Sequence, residues 1–176
     1  MKIVSFDPAS FRNLGWAICE YKKTADGILL GCAAGTFVIE NNGDPWESLF
    51  PLQSLVRLFL DNNKPDLVVI EKTSSFHGGF ITGQVSNCIG VILSSCGEIN
   101  VDVKFTYPTH VKKVVTGKGK TTKAIIRKKV NEYLVKWGSN AIKFDSEHAA
   151  DALANIVCWL LEDSSSPLRE SQKDEQ

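Results

Sequence analysis

Three strand signals within the first 39 residues, joined by very short turns, limit this chain's possible folds more than any other feature. Residues 2–6 are an apolar run that ends at Asp7. Residues 14–22 and 28–39 read as two further strands, with Asp26-Gly27 between them as a hairpin signal. Such a series specifies an antiparallel meander. Beyond it the signals alternate. Asn41-Asn42-Gly43-Asp44-Pro45 breaks the chain and opens a helix, with Asp44 as cap and Pro45 at its first position. Leu49, Leu52, Leu55, Val56, Phe59 and Leu60 then recur at helical spacing. Residues 66–70 form a Val/Ile-rich strand finished by Glu71. Residues 77–96 are helical in length but hold Gly78, Gly79, Gly83 and Gly90, so close approach to that backbone is expected. A fifth strand covers 101–105. Helical segments at 109–115 and 122–136 flank Gly117-Lys118-Gly119-Lys120, and a last helix covers 146–161. The expected order of elements is βββαβαβαα, an α/β fold whose five-stranded mixed sheet carries helices on both faces. At 176 residues the chain suits one domain, expected over 1–162, with a polar, disordered tail at 163–176.

Several classes are excluded. No uncharged apolar run approaches the ~20 residues of a membrane span. The first residues meet Asp7 without a long apolar signal region, which leads to the expectation of a cytoplasmic protein. The five cysteines (Cys19, Cys32, Cys88, Cys96, Cys158) include no C-x-x-C pair, which excludes a ribbon-type zinc site and argues against a disulfide framework. They read as buried thiols.

Net charge is zero, but its distribution is uneven. Residues 104–143 hold eleven Lys and Arg against the single acid Glu132, a local +10. A polyanionic partner is the natural reading, and a solvated helix face is the alternative.

Asp7 and Glu71 both follow apolar strands, and strand ends are where side chains leave the core for a cleft. A solvated terminus would explain either acid alone; two on strands that can lie side by side favour a shared site. His148 and Asp151 stand three residues apart and share a helix face, with alanines between that allow close packing on the sheet. Separately, Asp151 could oppose the helix dipole and His148 could be a surface histidine. Together the four offer mostly oxygen ligands and one imidazole, a set suited to Mg²⁺ or Mn²⁺ rather than structural zinc. Clustered carboxylates repel one another unless cations intervene. Two ions ~3.5–4 Å apart would activate a water and stabilise both oxygens of an in-line displacement at phosphorus. The Gly117–Thr122 loop lacks the glycine at position 114 that a P-loop requires, where Val114 stands, and it follows a helix. It reads instead as a basic loop that meets phosphates through Lys118 and Lys120.

The strand ending in Asp7-Pro8-x-Ser10 with Leu14-Gly15-Trp16-Ala17, the strand ending in Glu71, the stretch from Val111 to Gly119 with Lys123, and His148-Ala149-Ala150-Asp151-Ala152-Leu153-Ala154 together resemble the RuvC family of Holliday junction resolvases. The resemblance spans about residues 2–159. It implies an RNase H-like fold and a homodimer that makes symmetric, Mg²⁺-dependent nicks in four-way DNA junctions. By motif, Asp7, Glu71, His148 and Asp151 become the catalytic metal ligands for two Mg²⁺ per site, with Mn²⁺ able to substitute. Asp7 would bridge both ions. Lys112 and Lys123 fall where the family keeps functional lysines, and Phe76 resembles an aromatic that stacks on an unpaired base. Lys113, Lys118, Lys120 and Arg127 complete the expected DNA contacts, and a branch-migration protein is a possible partner. His148 departs from the aspartate common at its position. The glycine-containing helix after His77 is the candidate dimer interface. Arg12, within the segment from Asp7 to Gly15, also resembles RuvC-like ribosomal RNA maturation proteins, so a nuclease acting on flaps or RNA is the alternative. A non-catalytic junction-binding protein is a third reading, and an actin-like ATPase is excluded by length.

Overall fold

The computed structural model describes residues 1–24, 27–40, 44–72 and 79–163. The hairpin residue Asp26, the aromatic Phe76 and residues 164–176 lie outside these. Strands β1 (Lys2–Pro8), β2 (Asn13–Thr24) and β3 (Gly27–Val38) form the expected meander. After it come α1 (Leu49–Asn63), β4 (Leu67–Glu71), α2 (Gly79–Glu98), β5 (Asp102–Thr106), α3 (Pro108–Thr116), α4 (Lys123–Lys136) and α5 (Glu147–Glu162). Asp44 caps as expected, but its carboxylate accepts from the Trp46 N–H (3.0 Å) at a 3₁₀ turn over Pro45–Ser48 that precedes α1. Three helices follow β5, where the order βββαβαβαα has two. The Gly117 break separates α3 from α4 completely: Gly117 adopts φ +76°, and its N–H closes α3 on the Lys113 carbonyl (2.9 Å).

The sheet runs β3-β2-β1-β4-β5. Its β1/β2 and β2/β3 pairs are antiparallel, and its β1/β4 and β4/β5 pairs are parallel. Alternation along the strands sorts the core into two layers. Val4, Phe6, Val68 and Ile70 pack under α1 and α2 with Leu52, Val56, Leu60, Cys88 and Ile92. Ile3, Ala17, Leu67 and Val69 pack under α3, α4 and α5 with Val111, Ile126, Leu134, Leu153 and Ile156. The same two-residue period directs Asp7, two beyond Ser5, and Glu71, two beyond Val69, toward the α5 side.

Helix α5 lies against β1, β2, β3 and β4, and Ala149, Ala150, Ala152 and Ala154 are buried where it meets them. Its start is fixed by Ser146, whose hydroxyl accepts from the Ala149 N–H (3.0 Å) and also hydrogen-bonds Thr36 of β3.

One cysteine expectation is corrected. Cys19 and Cys32 stand directly opposite in the β2/β3 register and are joined as a disulfide, with Cα atoms 4.2 Å apart. Hairpin register decides this pairing, and the spacing of cysteines along the chain does not reveal it. Cys88, Cys96 and Cys158 are buried free thiols. Among the described residues, no helix is long and apolar enough to cross a membrane.

Candidate active site

Adjacent parallel strands deliver the first two acids. Phe6 pairs with Ile70, so Asp7 and Glu71 leave the ends of β1 and β4 side by side. Helix α5 brings His148 and Asp151 over them from its first turns. Gly15 makes this approach possible. It pairs with Asp7 across β1/β2, and a Cβ there would overlap the carbonyl of His148. Only glycine lets the helix start settle so close to the strand.

The electrostatics are those of crowded acids. His148 Nδ1–H donates to Asp7 Oδ2 at 3.0 Å, and this bond raises the imidazole pKa above its ordinary value. Burial, then the charges of Asp7 and Asp151, push the Glu71 carboxyl up to about 8; Lys112 and Asn155 pull it back in part. Asp151 is raised by burial and by Asp7, against the opposing pull of Lys123. At neutral pH the cluster therefore keeps a proton on Glu71, and the bond to Asp7 biases His148 toward its protonated form. Divalent cations would relieve the same repulsion, and three carboxylates with one imidazole are donors of the right kind for Mg²⁺ or Mn²⁺. The donors surround an extended space rather than one point. Among the described residues, the His/Cys/Asp/Glu trio with ligand atoms all within 4.8 Å of one another lies elsewhere, at His110, Cys158 and Glu162.

Beside the acids a cleft of about 220 Å³ is lined by Glu71, Asp151, Lys112 and Lys123, with Val111 and Ile126 at its apolar wall. Lys123 Nζ is 2.6 Å from Glu147 and 3.6 Å from Asp151, and Arg127 lies 4.0 Å from Glu147. Lys113, Lys118 and Lys120 are exposed on α3 and the loop after it. The basic segment is therefore not one uniform patch. Lys128 and Lys129 are paired with Glu132 on α4, 3.8 and 2.6 Å away.

Sequence reasoning missed Thr106 and Asn155. Asn155, fully buried one turn after Asp151, accepts from the Thr106 hydroxyl (3.0 Å). Thr106 in turn is the register partner of Glu71 across β4/β5. A lone amide within Ala152-Leu153-Ala154-Asn155-Ile156-Val157 was the available signal, since a polar side chain on an apolar helix face needs a partner. It also missed Glu147, which holds Lys123.

Comparison with known proteins identifies the family and the fold. The family model described as "Crossover junction endodeoxyribonuclease RuvC" matches residues 3–159. The RuvC of Mycolicibacterium vanbaalenii is 31% identical over 159 residues, covering 90% of this chain and 78% of that protein. The RuvC of Mycobacterium sp. strain KMS is 30% identical over 110 residues, an alignment covering 62% of this chain but only 57% of that relative's length. In three dimensions the chain resembles T. thermophilus RuvC, solved in complex with Holliday junction substrate, at TM-score 0.73 and 22% identity over 90% of this chain and 92% of that one. The fold is thus the RNase H-like α/β fold. Matched from β1 to the last turn of α5, the chain belongs to the RuvC family.

Proposed function

We propose that this protein is a structure-selective endodeoxyribonuclease that resolves four-way DNA junctions by paired symmetric nicks, leaving 5′-phosphate and 3′-hydroxyl ends. The observation that carries this reading is the convergence of Asp7, Glu71, His148 and Asp151 above the ends of β1 and β4, next to a lysine-lined cleft. These four residues would hold Mg²⁺, two ions per site, with Mn²⁺ able to substitute. Bound there, the ions supply activation of a water and neutralisation of charge at the scissile phosphate. Asp7 stands in the middle of the set, bonded to His148 and close enough to raise Glu71 and Asp151. Lys112 sits at the cleft near Glu71, placed for a flanking phosphate. Lys123 would exchange its pairs with Glu147 and Asp151 for phosphate as DNA enters. The exposed Lys113, Lys118 and Lys120, with Arg127, extend the phosphate contacts outward, and Phe76 would stack on an unpaired base.

Two opposed nicks need two sites, and we assign the second to a second copy of the chain. Helix α2 supports this. It carries no charged residue before Glu98, and an added Cβ at Gly79, Gly83, Gly90 or Gly97 would meet open space. A branch-migration partner and a cytoplasmic setting belong to the same reading.

The test is a substrate panel with Mg²⁺ or Mn²⁺: a synthetic four-way junction, a linear duplex, a flap and an RNA hybrid. Symmetric nicking of the junction alone is the expected result. Preference for the flap or the hybrid would assign the site to another branched or RNA substrate, and tight junction binding without any nick would make the protein a binding module.

A further inference from the structure

We infer that His110, Cys158 and Glu162 form a second metal site, apart from the carboxylate cluster, that takes a transition-metal ion of the Zn²⁺ class. Helix α3 supplies His110, and α5 supplies Cys158 and Glu162, four residues apart on one face. His110 Nε2 lies 2.9 Å from both carboxylate oxygens of Glu162, and Cys158 Sγ lies 3.7 Å from the nearer one. All three ligand atoms fall within 4.8 Å of one another. Metal–ligand bonds of about 2.0–2.3 Å in tetrahedral geometry separate ligand atoms by roughly 3.3–3.8 Å. An ion therefore needs only small shifts of side chains that already point together.

A plain ion pair accounts for less of this arrangement. His110 and Glu162 are each about half exposed, and an exposed pair needs no third member. Here a fully buried sulfur turns toward the carboxylate from beneath. Burial of the soft ligand with exposure of the other two gives a site that is anchored in the core and open to solvent for entry. One nitrogen, one sulfur and one oxygen form a mixed set that prefers Zn²⁺ or Co²⁺ to the Mg²⁺ expected at the all-oxygen and imidazole cluster. Water would fill the fourth position. The ion would clasp α3, which carries Lys112, to α5, which carries Asp151.

Cobalt tests this without reference to cleavage. Chelator-treated full-length protein titrated with Co²⁺ should develop a thiolate-to-cobalt charge-transfer band in the near ultraviolet, saturating at one ion. The carboxylate cluster contributes no sulfur and cannot produce it. The band should persist in Asp7→Asn, disappear in Cys158→Ala, and need at least about tenfold more Co²⁺ in His110→Ala, an exposed position where folding is not at stake. Zn²⁺ at about a hundredfold excess over its dissociation constant should raise the melting temperature of wild type by roughly 5–10 °C more than that of His110→Ala, which retains only the carboxylate cluster. Absence of the thiolate band in folded wild type, or equal titration by wild type and His110→Ala, would overturn the site while leaving the proposed nuclease function intact.

Discussion

Replacing Asp7 by asparagine is expected to lower four-way junction cleavage at least about a hundredfold to a thousandfold while changing junction affinity by no more than a few fold. Asp7 is the group on which the other three depend. It accepts the His148 hydrogen bond at 3.0 Å, its charge raises both Glu71 and Asp151, and it lies largely buried at the end of β1. Asparagine keeps the volume and an oxygen that can accept from His148, so the fold should survive. The charge that would hold a cation at the middle of the set is lost. The lysines at and around the cleft are untouched, so phosphate binding should persist. Gel-shift and nicking assays on one synthetic junction separate the two quantities. Weakened binding with undiminished cleavage would show that Asp7 belongs to the DNA surface instead.

Glu71→Gln should also abolish cleavage, and it has a second consequence that can be read without DNA. In the metal-free fold Glu71 holds its proton up to about pH 8, whereas an unperturbed glutamate releases it near 4.5. Between those values the folded chain binds more protons than the unfolded chain, so stability falls as pH rises. The stabilising difference is whole below pH 4.5 and is lost as pH passes through about 8. Its size is on the order of 3 kcal/mol once water at the open side of the cleft screens part of it, a tenfold change in proton affinity being worth about 1.4 kcal/mol. Glutamine is neutral throughout and escapes the penalty. Between about pH 5 and 9, chelated wild type should therefore lose roughly 5–10 °C of melting temperature relative to Glu71→Gln, and added Mg²⁺ should close much of the gap. Parallel pH profiles for the two proteins would contradict the assignment of Glu71 to a crowded acidic centre.

The parts of this site legible in the sequence sit at the ends of regular elements. Asp7 and Glu71 each terminate an apolar strand, and the two-residue period of those strands sends both to one face. His148 and Asp151 are joined by helical spacing alone. What sequence did not reveal depends on register and on contacts between distant elements. Cys19 meets Cys32 because the β2/β3 pairing puts them opposite. Thr106 meets Asn155 because the last residue of β5 comes within hydrogen-bond reach of α5, 49 residues further along the chain. The basic segment looks uniform along the chain, yet folding divides it: Lys112 and Lys123 enter the cleft, while Lys128 and Lys129 are engaged by Glu132. Phe76 falls outside the described residues.

Crystals grown with Mn²⁺ and measured at its absorption edge would locate any ion held by the four residues. Anomalous peaks enclosed by the side chains of residues 7, 71, 148 and 151 are expected, and they should be lost in Asp7→Asn. Crystals in which Mn²⁺ is bound only at other positions, with those four side chains engaging no ion, would contradict the assignment of these residues as metal ligands.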